Sequence, residues 1–251
     1  MNWENIEKEL YMDFGYNAEN FDYRLEHAFY DIVKYLNMSK GKMLMITYPY
    51  GKEIPEIDGI LGSAVLTLVF RILNLKTAII STPKTLRHII TIMKHINLAA
   101  IKEGYIVPYS VRDDYVKNIR TSFNILVKEK PLMAFIIGRQ SKLKSLEIIV
   151  NLLLKTGIPH FTICKLGYCE KGPKVLRYPI INLALYTLGN TLSMKFTGKI
   201  VYNGVFEKKL YERLVPNVLR PYFVYKHGVG RVRLSIERVV SKINKINYLI
   251  T

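Results

Sequence analysis

Short apolar runs alternate with longer stretches of helical spacing through most of the chain. The apolar runs are bounded by Gly, Pro or polar residues and are rich in β-favouring residues, which is typical of strands. They predict strands over Lys42–Tyr48, Leu75–Thr82, Tyr105–Tyr109, Leu132–Ile137 and His160–Cys164. The longer stretches predict helices over Tyr23–Leu36, Asp58–Leu73, Lys84–Ile96, Asp113–Lys128, Ser141–Lys155, Ile180–Met194 and Arg233–Leu249.

This alternation predicts a three-layer α/β fold, in which a largely parallel sheet carries helices on both faces. No long Gly/Ser-rich or Pro-rich linker interrupts the chain, so we expect a single domain over residues 1–251 with an N-terminal helical segment over 1–40. Parallel sheets bind ligands beyond the carboxyl ends of their strands. Three loops are therefore candidates for a site: Thr47–Gly62, Gly138–Lys144 and Lys165–Lys174.

Composition adds an electrostatic feature to this fold. The 251 residues are 49% hydrophobic, which suffices for a large core, and they carry a formal net charge of +17. Such a charge attracts polyanions, and Arg231, Arg233 and Arg238 near Tyr222 and Tyr225 would suit single-stranded nucleic acid. A Lys-rich solvated surface explains the same charge without any partner. We favour the solvated surface, so nucleic acid is the less favoured partner.

The two cysteines, Cys164 and Cys169, are too few for a disulfide scaffold and indicate a reducing compartment. We expect Cys164 to be a core residue and Cys169 a free thiol in a loop. The first residues resemble neither a signal peptide nor a transit peptide, and the longest apolar runs fall short of the about 20 residues that span a bilayer. The sequence therefore predicts a cytoplasmic protein without a membrane partner.

Common catalytic motifs are absent from the sequence. It contains no GxxxxGK[ST] phosphate loop, HExxH zinc helix, GxSxG elbow or GxGxxG fingerprint. His88 and His95 are seven residues apart, which is about 10 Å along a helix, too far for one metal ion. The sequence thus specifies neither a cofactor nor a metal.

The segment IPEIDGILGSA places Glu56 and Asp58 beside Gly59, directly before a buried helix. Asp58 could cap that helix by accepting hydrogen bonds from its free backbone N–H groups. Alternatively, the acid pair could bind an ammonium group or move protons, with Gly59 and Gly62 admitting a substrate close to the backbone. Spacing alone favours the cap.

The stretch ITYPYGKEIPEIDGILGSAVLTL resembles the D-glutamate cyclase family, whose signature is a strand ending in TGF followed by PETDGPPGA and a helix. Thr47 matches the family's Thr, whereas Tyr48 replaces its Gly. Further matches follow in the same order along nearly the whole chain. They are Pro55, Glu56, Asp58, Gly59 and Gly62, then Gly138 and Arg139 in FIIGRQ, Gly167, Glu170 and Gly172 in CKLGYCEKG, and Asn182 and Tyr186 in INLALYTL.

The resemblance implies a carbon–oxygen lyase that cyclises D-glutamate, or a related amino acid, to 5-oxoproline with loss of water. It implies Glu56, Asp58 and Glu170 as ammonium-binding or acid/base groups and Arg139 as the residue that holds a carboxylate. The remaining substrate-binding positions that it implies are Thr47, Gly59, Gly62, Gly138, Gly167 and Asn182.

Some acidic and amide positions of the family pattern are replaced in this chain. In this chain Phe135 replaces an acidic residue of the family pattern, Leu166 replaces an Asp, and Cys169 replaces an Asn. These replacements imply either an altered substrate or a fold retained without catalysis. The leading hypothesis is a divergent cyclase-like protein whose ligand is a small amino acid or carboxylate. The alternative is a basic, non-catalytic module that binds nucleic acid or an acidic partner, and self-association into a homo-oligomer is open in both.

Overall fold

The structure is a computed structural model that describes residues 1–12, 14–17, 21–38, 41–49, 56–111, 115–139, 143–166, 174–214, 219, 221–226 and 230–251. Its helices are α1 (Trp3–Tyr11), α2 (Leu25–Met38), α3 (Ile60–Ile72), α4 (Pro83–Lys102), α5 (Tyr115–Glu129), α6 (Lys144–Leu154), α7 (Ile181–Thr197), α8 (Gly204–Leu214) and α9 (Ile236–Ile250). Its strands are β1 (Lys42–Thr47), β2 (Thr77–Ser81), β3 (Ile106–Ser110), β4 (Pro131–Ile137), β5 (His160–Lys165), β6 (Val175–Tyr178), β7 (Phe223–Lys226) and β8 (Gly230–Arg233).

Within the described ranges, six strands form one parallel sheet in the order β3-β2-β1-β4-β5-β6. The central strands β1 and β4 pair from Met43 opposite Met133 to Thr47 opposite Ile137. Strand order reverses between these two strands, and such a switch point opens a crevice at the carboxyl edge. The carboxyl ends of β1, β4 and β5 therefore lie on one edge, as the sequence predicts.

Both faces of the sheet are covered, which confirms the three-layer α/β fold. Alternate residues of a strand point to opposite faces. Met43 and Met45 of β1 pack against the larger helical layer, which includes α3, α4, α7 and α9. Leu44 and Ile46 pack against α5 and α6 on the other face. The parallel strands are consequently buried on both sides.

Three strands were not predicted from the pattern. Strand β6 has only four residues, and its burial alternates between intermediate and buried. Strands β7 and β8, also four residues each, pair antiparallel to form a separate hairpin that has charged residues on both strands. The last helix starts at Ile236 rather than Arg233, because Arg233 belongs to β8 and the Ser235 side chain caps α9.

The cysteines and the helices bear on the compartment that the sequence predicts. Cys164 is buried in β5, as predicted, and it is disulfide-bonded. A disulfide is not expected in the reducing compartment that the low cysteine count indicated. Cys169 lies outside the described residues. No helix within the described ranges combines the length and the apolar character needed to cross a membrane.

Helices α1 and α2 meet at a buried carboxylate. Glu7 of α1 accepts hydrogen bonds from the backbone N–H of Leu25 at 2.7 Å and from the hydroxyl of Tyr178 at 3.1 Å. Burial raises the pKa of Glu7 to about 6, although these donors favour the ionised form. Glu7 therefore ties the N-terminal helices to β6 at the cost of a buried charge at neutral pH.

We expect Glu7 to make stability fall as the pH rises through the range of its raised pKa. A carboxyl whose folded pKa is raised contributes stability that is fully present below its unfolded pKa, near 4.5, and is lost above about 6. The difference corresponds to about 2 kcal/mol. Urea denaturation at acid and neutral pH should show this loss in the wild type and not in Glu7→Gln. The exposed acid of the same helix, in Glu4→Gln, is the control, and equal pH dependence of all three proteins would contradict the assignment.

Candidate functional site

A buried cluster of two acids and an ammonium group lies at the carboxyl edge of the sheet. Glu56 and Asp58, in the segment between β1 and α3, are 2% and 0% exposed. The Nζ atom of Lys165, the last residue of β5, lies 2.6 Å from Oε2 of Glu56 and 3.2 Å from Oδ2 of Asp58. Lys165 follows Phe161 and Ile163 in the alternation of β5, so it points into the layer that holds α3 and α7.

The charges of this cluster balance one another. Arg231 of β8 donates to Oε1 of Glu56, the oxygen that Lys165 does not use, so two cations face two acids. Burial alone would lower the pKa of Lys165, but the carboxylates of Asp58 and Glu56 outweigh burial and raise it. Burial raises the pKa of Asp58, against the opposing effect of Lys165. Lys165 is thus an ammonium group held between carboxylates.

Asp58 and Asn182 cap each other's helices. The carboxylate of Asp58 accepts from the backbone N–H of Asn182, in the first turn of α7, at 2.8 Å. The side-chain oxygen of Asn182 accepts from the backbone N–H groups of Gly59 at 2.7 Å and Gly62 at 2.9 Å, at the start of α3. The expectation that Asp58 caps its own following helix is wrong, because α3 has no cap from the side chain that precedes it. The positive ends of both helices therefore converge near the acid cluster.

Gly59 and Gly62 are required by this arrangement. Gly59 has a φ of 84°, a left-handed conformation that glycine adopts without steric cost. A Cβ atom at Gly62 would lie 2.6 Å from Cδ1 of Leu185 and 2.8 Å from the side-chain oxygen of Asn182. The absence of a side chain lets α3 approach α7 closely, and both glycine amides are already bound to Asn182.

A third buried acid, Glu207 of α8, supports this arrangement through three tyrosine hydroxyls. The hydroxyls of Tyr186 and Tyr202 donate to its Oε2 at 2.8 and 2.7 Å, and Tyr222 donates to its Oε1. Burial raises the pKa of Glu207, whereas the three hydroxyls lower it. The Tyr222 oxygen in turn accepts from the side-chain amide of Asn182 at 2.7 Å. Because Tyr222 donates its only hydroxyl proton to Glu207, it can only accept from Asn182. The amide nitrogen of Asn182 therefore faces Tyr222, and its oxygen faces Gly59 and Gly62.

The other residues implied by the resemblance lie in different places. Thr47 ends β1, and its hydroxyl lies 3.0 Å from that of Ser63, which donates to the carbonyl of Gly59. Gly138 and Arg139 follow the adjacent β4, but Arg139 forms a two-point ion pair with Glu147 of α6, on the opposite face of the sheet. Gly167 and Glu170 lie outside the described residues. Contacts thus join Glu56, Asp58, Gly59, Gly62 and Asn182, whereas Arg139 binds elsewhere.

Sequence reasoning did not identify Lys165, Arg231, Glu207 or Tyr222 as parts of the cluster. One signal was available for Lys165, because a cation in the core-facing register of a strand needs a buried partner. No local pattern distinguishes Arg231 or Glu207 from surface residues. Within the described ranges, no group of three or more His, Cys, Asp or Glu side chains is arranged to hold a metal ion.

Comparisons with known proteins do not assign the site. The chain matches no protein-family model, and no curated protein sequence matches it significantly. The site combines a buried ammonium between two carboxylates, two helix N-termini and one cation, Arg231, whose side chain is 41% exposed.

Proposed function

We propose that this chain is a divergent D-glutamate cyclase-like protein that binds a small amino acid with a second carboxylate and cyclises it to 5-oxoproline. The supporting observation is the meeting of Glu56, Asp58 and Asn182 in one buried cluster at the carboxyl edge of the sheet. These residues come from motifs more than a hundred positions apart in the chain. The resemblance assigns all three of them to one site.

The proposed reaction needs groups that move two protons from nitrogen to oxygen. The substrate amine attacks the carbon of its own side-chain carboxyl, a C–N bond forms, and a C–O bond breaks. Both protons that leave the ammonium group depart with the oxygen as water. General acid–base catalysis by positioned side chains fits such a transfer. In this proposal Glu56 accepts the two protons from the nitrogen one after the other, and Lys165 donates a proton to the departing oxygen each time. Proton transfer from Glu56 to Lys165, 2.6 Å away, restores both groups after each transfer.

Asp58 and Asn182 position these groups in the proposal. Asp58 holds Lys165 beside Glu56, and the Asn182 side chain fixes the turn after Asp58 by accepting from the backbone N–H groups of Gly59 and Gly62. Arg139 is bound to Glu147, so the proposal rests on Glu56, Asp58, Lys165 and Asn182 rather than on Arg139. Glu170 keeps the acid/base role that the resemblance implies.

We expect purified protein to convert D-glutamate to 5-oxoproline, detected by mass spectrometry, and Glu56→Gln to slow this conversion about a hundredfold or more. The matched control is Glu129→Gln, which neutralises a buried carboxylate that pairs with Lys42, at the start of β1, at 3.0 Å. This control should retain the rate of the wild type. Absence of product from the wild type, or equal rates in Glu56→Gln and the wild type, would refute the proposed reaction.

A further inference from the structure

Arg231 differs from the other groups of the cluster because it reaches solvent. Its side chain is 41% exposed, whereas that of Glu56, its partner, is 3% exposed. The guanidinium group has five N–H donors, and its ion pair with Glu56 is made through one terminal nitrogen, Nη2. Its remaining donors are therefore available at the surface, next to the buried carboxylate of Glu56.

The guanidinium group is also held in place from a second side. Its central carbon lies 4.2 Å from the centre of the Phe223 ring, on the neighbouring strand β7. Stacking on an aromatic face and an ion pair with a buried carboxylate together restrict the side chain. An arginine restricted in this way loses little conformational entropy when it binds an anion.

The hairpin that carries Arg231 presents further positive charge on the same side. Arg231 and Arg233 are two positions apart on β8, so they share one face, and both are exposed. Val224 is buried and Val232 packs against the core, so the opposite face of the hairpin is the attached one. Among the described residues, Arg233 has no ion-pair partner, and the net charge of the chain is +17. These charges attract anions to the outer face.

We infer that Arg231 binds the α-carboxylate of the ligand, and that the β7–β8 hairpin is thus a specificity element of the site. The inference rests on the proposed function for the identity of the ligand. The side-chain carboxyl becomes a neutral amide during cyclisation, whereas the α-carboxylate keeps its charge throughout. An arginine that is always charged suits the group whose charge is constant, and its planar fork matches a carboxylate. This role is the one that the resemblance assigned to Arg139.

Calorimetric titration with D-glutamate tests this inference on the wild type and three variants. We expect Arg231→Met to weaken binding about tenfold or more, because a hydrogen bond between charged groups is lost. Arg231→Lys should keep the ion pair with Glu56 but lose the fork, and should bind with intermediate affinity. Arg233→Met removes an equal charge from the same strand and should weaken binding much less than Arg231→Met, because it removes long-range attraction but no contact with the ligand. Thermal denaturation of each variant checks that the hairpin still folds.

Kinetics separate the inference from the proposed reaction. A carboxylate contact that is the same in substrate and transition state raises KM and leaves kcat nearly unchanged when it is removed. If Arg231→Met forms 5-oxoproline with an unchanged KM, the role of Arg231 is refuted and the reaction stands. If D-glutamate binds through Arg231 but no product forms, the reaction is refuted and the binding role stands.

A nucleic-acid surface is the competing outcome. Titration of the wild type with a short oligothymidylate at low and high salt would reveal it through a steep salt dependence. Binding of the oligonucleotide but not of D-glutamate, with equal losses in Arg231→Met and Arg233→Met, would overturn the small-carboxylate assignment. Binding of neither probe would overturn it as well.

Discussion

Replacing Lys165 with Met should lower the free energy of unfolding by about 3–5 kcal/mol, the usual cost of removing one partner from a buried ion pair. The substitution keeps most of the side-chain volume but leaves Glu56 and Asp58 as neighbouring buried carboxylates without their shared ammonium. Urea denaturation monitored by circular dichroism measures this change. The expected loss is large because Lys165 is only 2% exposed and water cannot replace it.

Two further variants distinguish charge from packing. Lys208→Met removes a lysine from the exposed pair with Glu212 and should change stability by less than about 1 kcal/mol. Adding Asp58→Asn to Lys165→Met removes the carboxylate that is left without a cation, since Glu56 keeps its ion pair with Arg231, and should recover part of the loss. The recovery is partial because a neutral amide oxygen accepts from the N-terminus of α7 less strongly than the carboxylate does. A loss in Lys165→Met no greater than that in Lys208→Met would contradict the buried cluster.

The second large effect is expected for Asn182→Ala. The side chain of Asn182 accepts from Gly59 and Gly62 and donates to Tyr222 and to the carbonyl of Ile57 at 3.2 Å. Its removal leaves the buried backbone N–H groups of Gly59 and Gly62 without an acceptor, and each such group costs about 1–3 kcal/mol. Tyr222 keeps its bond to Glu207, and the Ile57 carbonyl still accepts from the backbone N–H of Leu61. Part of the loss can be relieved by a water molecule in the space, so we expect a total of about 3 kcal/mol or more.

Asn203→Ala provides the matched control, because Asn203 caps α8 through the backbone N–H of Phe206 at 3.0 Å on the surface. Loss of an ordinary helix cap costs about 1 kcal/mol. Hydrogen exchange should also show faster exchange at the amides of Gly59 and Gly62 in Asn182→Ala and not in Asn203→Ala. Equal destabilisation and unchanged exchange would show that Asn182 acts as a simple cap.

The central part of the fold was predictable from hydrophobic spacing. The predicted strands at Lys42–Tyr48 and Leu132–Ile137 differ from β1 and β4 by one residue at an end, because strands buried on both faces have continuous apolar runs. The β7–β8 hairpin lacks such a run, since one face is attached and the other carries Arg231 and Arg233. Strands with four residues and mixed polarity have too few positions for a periodic signal.

The segment that contains Glu56 and Asp58 has contacts that its local sequence did not indicate. Asp58 stands where a helix cap is expected, and it does cap a helix, but that helix is α7 rather than α3. Gly59 turns the chain between Asp58 and α3, and its positive φ was not readable from the sequence. Only the crossing of α3 and α7 determines which backbone N–H groups each side chain meets.

The sequence by itself determined the α/β class, the parallel central strands and the position of Glu56 and Asp58 beyond β1, because hydrophobic period and chain order are local properties. The tertiary structure decided the partners of these acids. Lys165 lies at the end of β5 and Arg231 on β8 of the hairpin. Asn182 lies on α7, Glu207 on α8, and Tyr222 directly before β7. A buried charge must be compensated, but the compensating residue can come from any element that folding brings within hydrogen-bond distance. That choice depends on long-range packing, which no local pattern records.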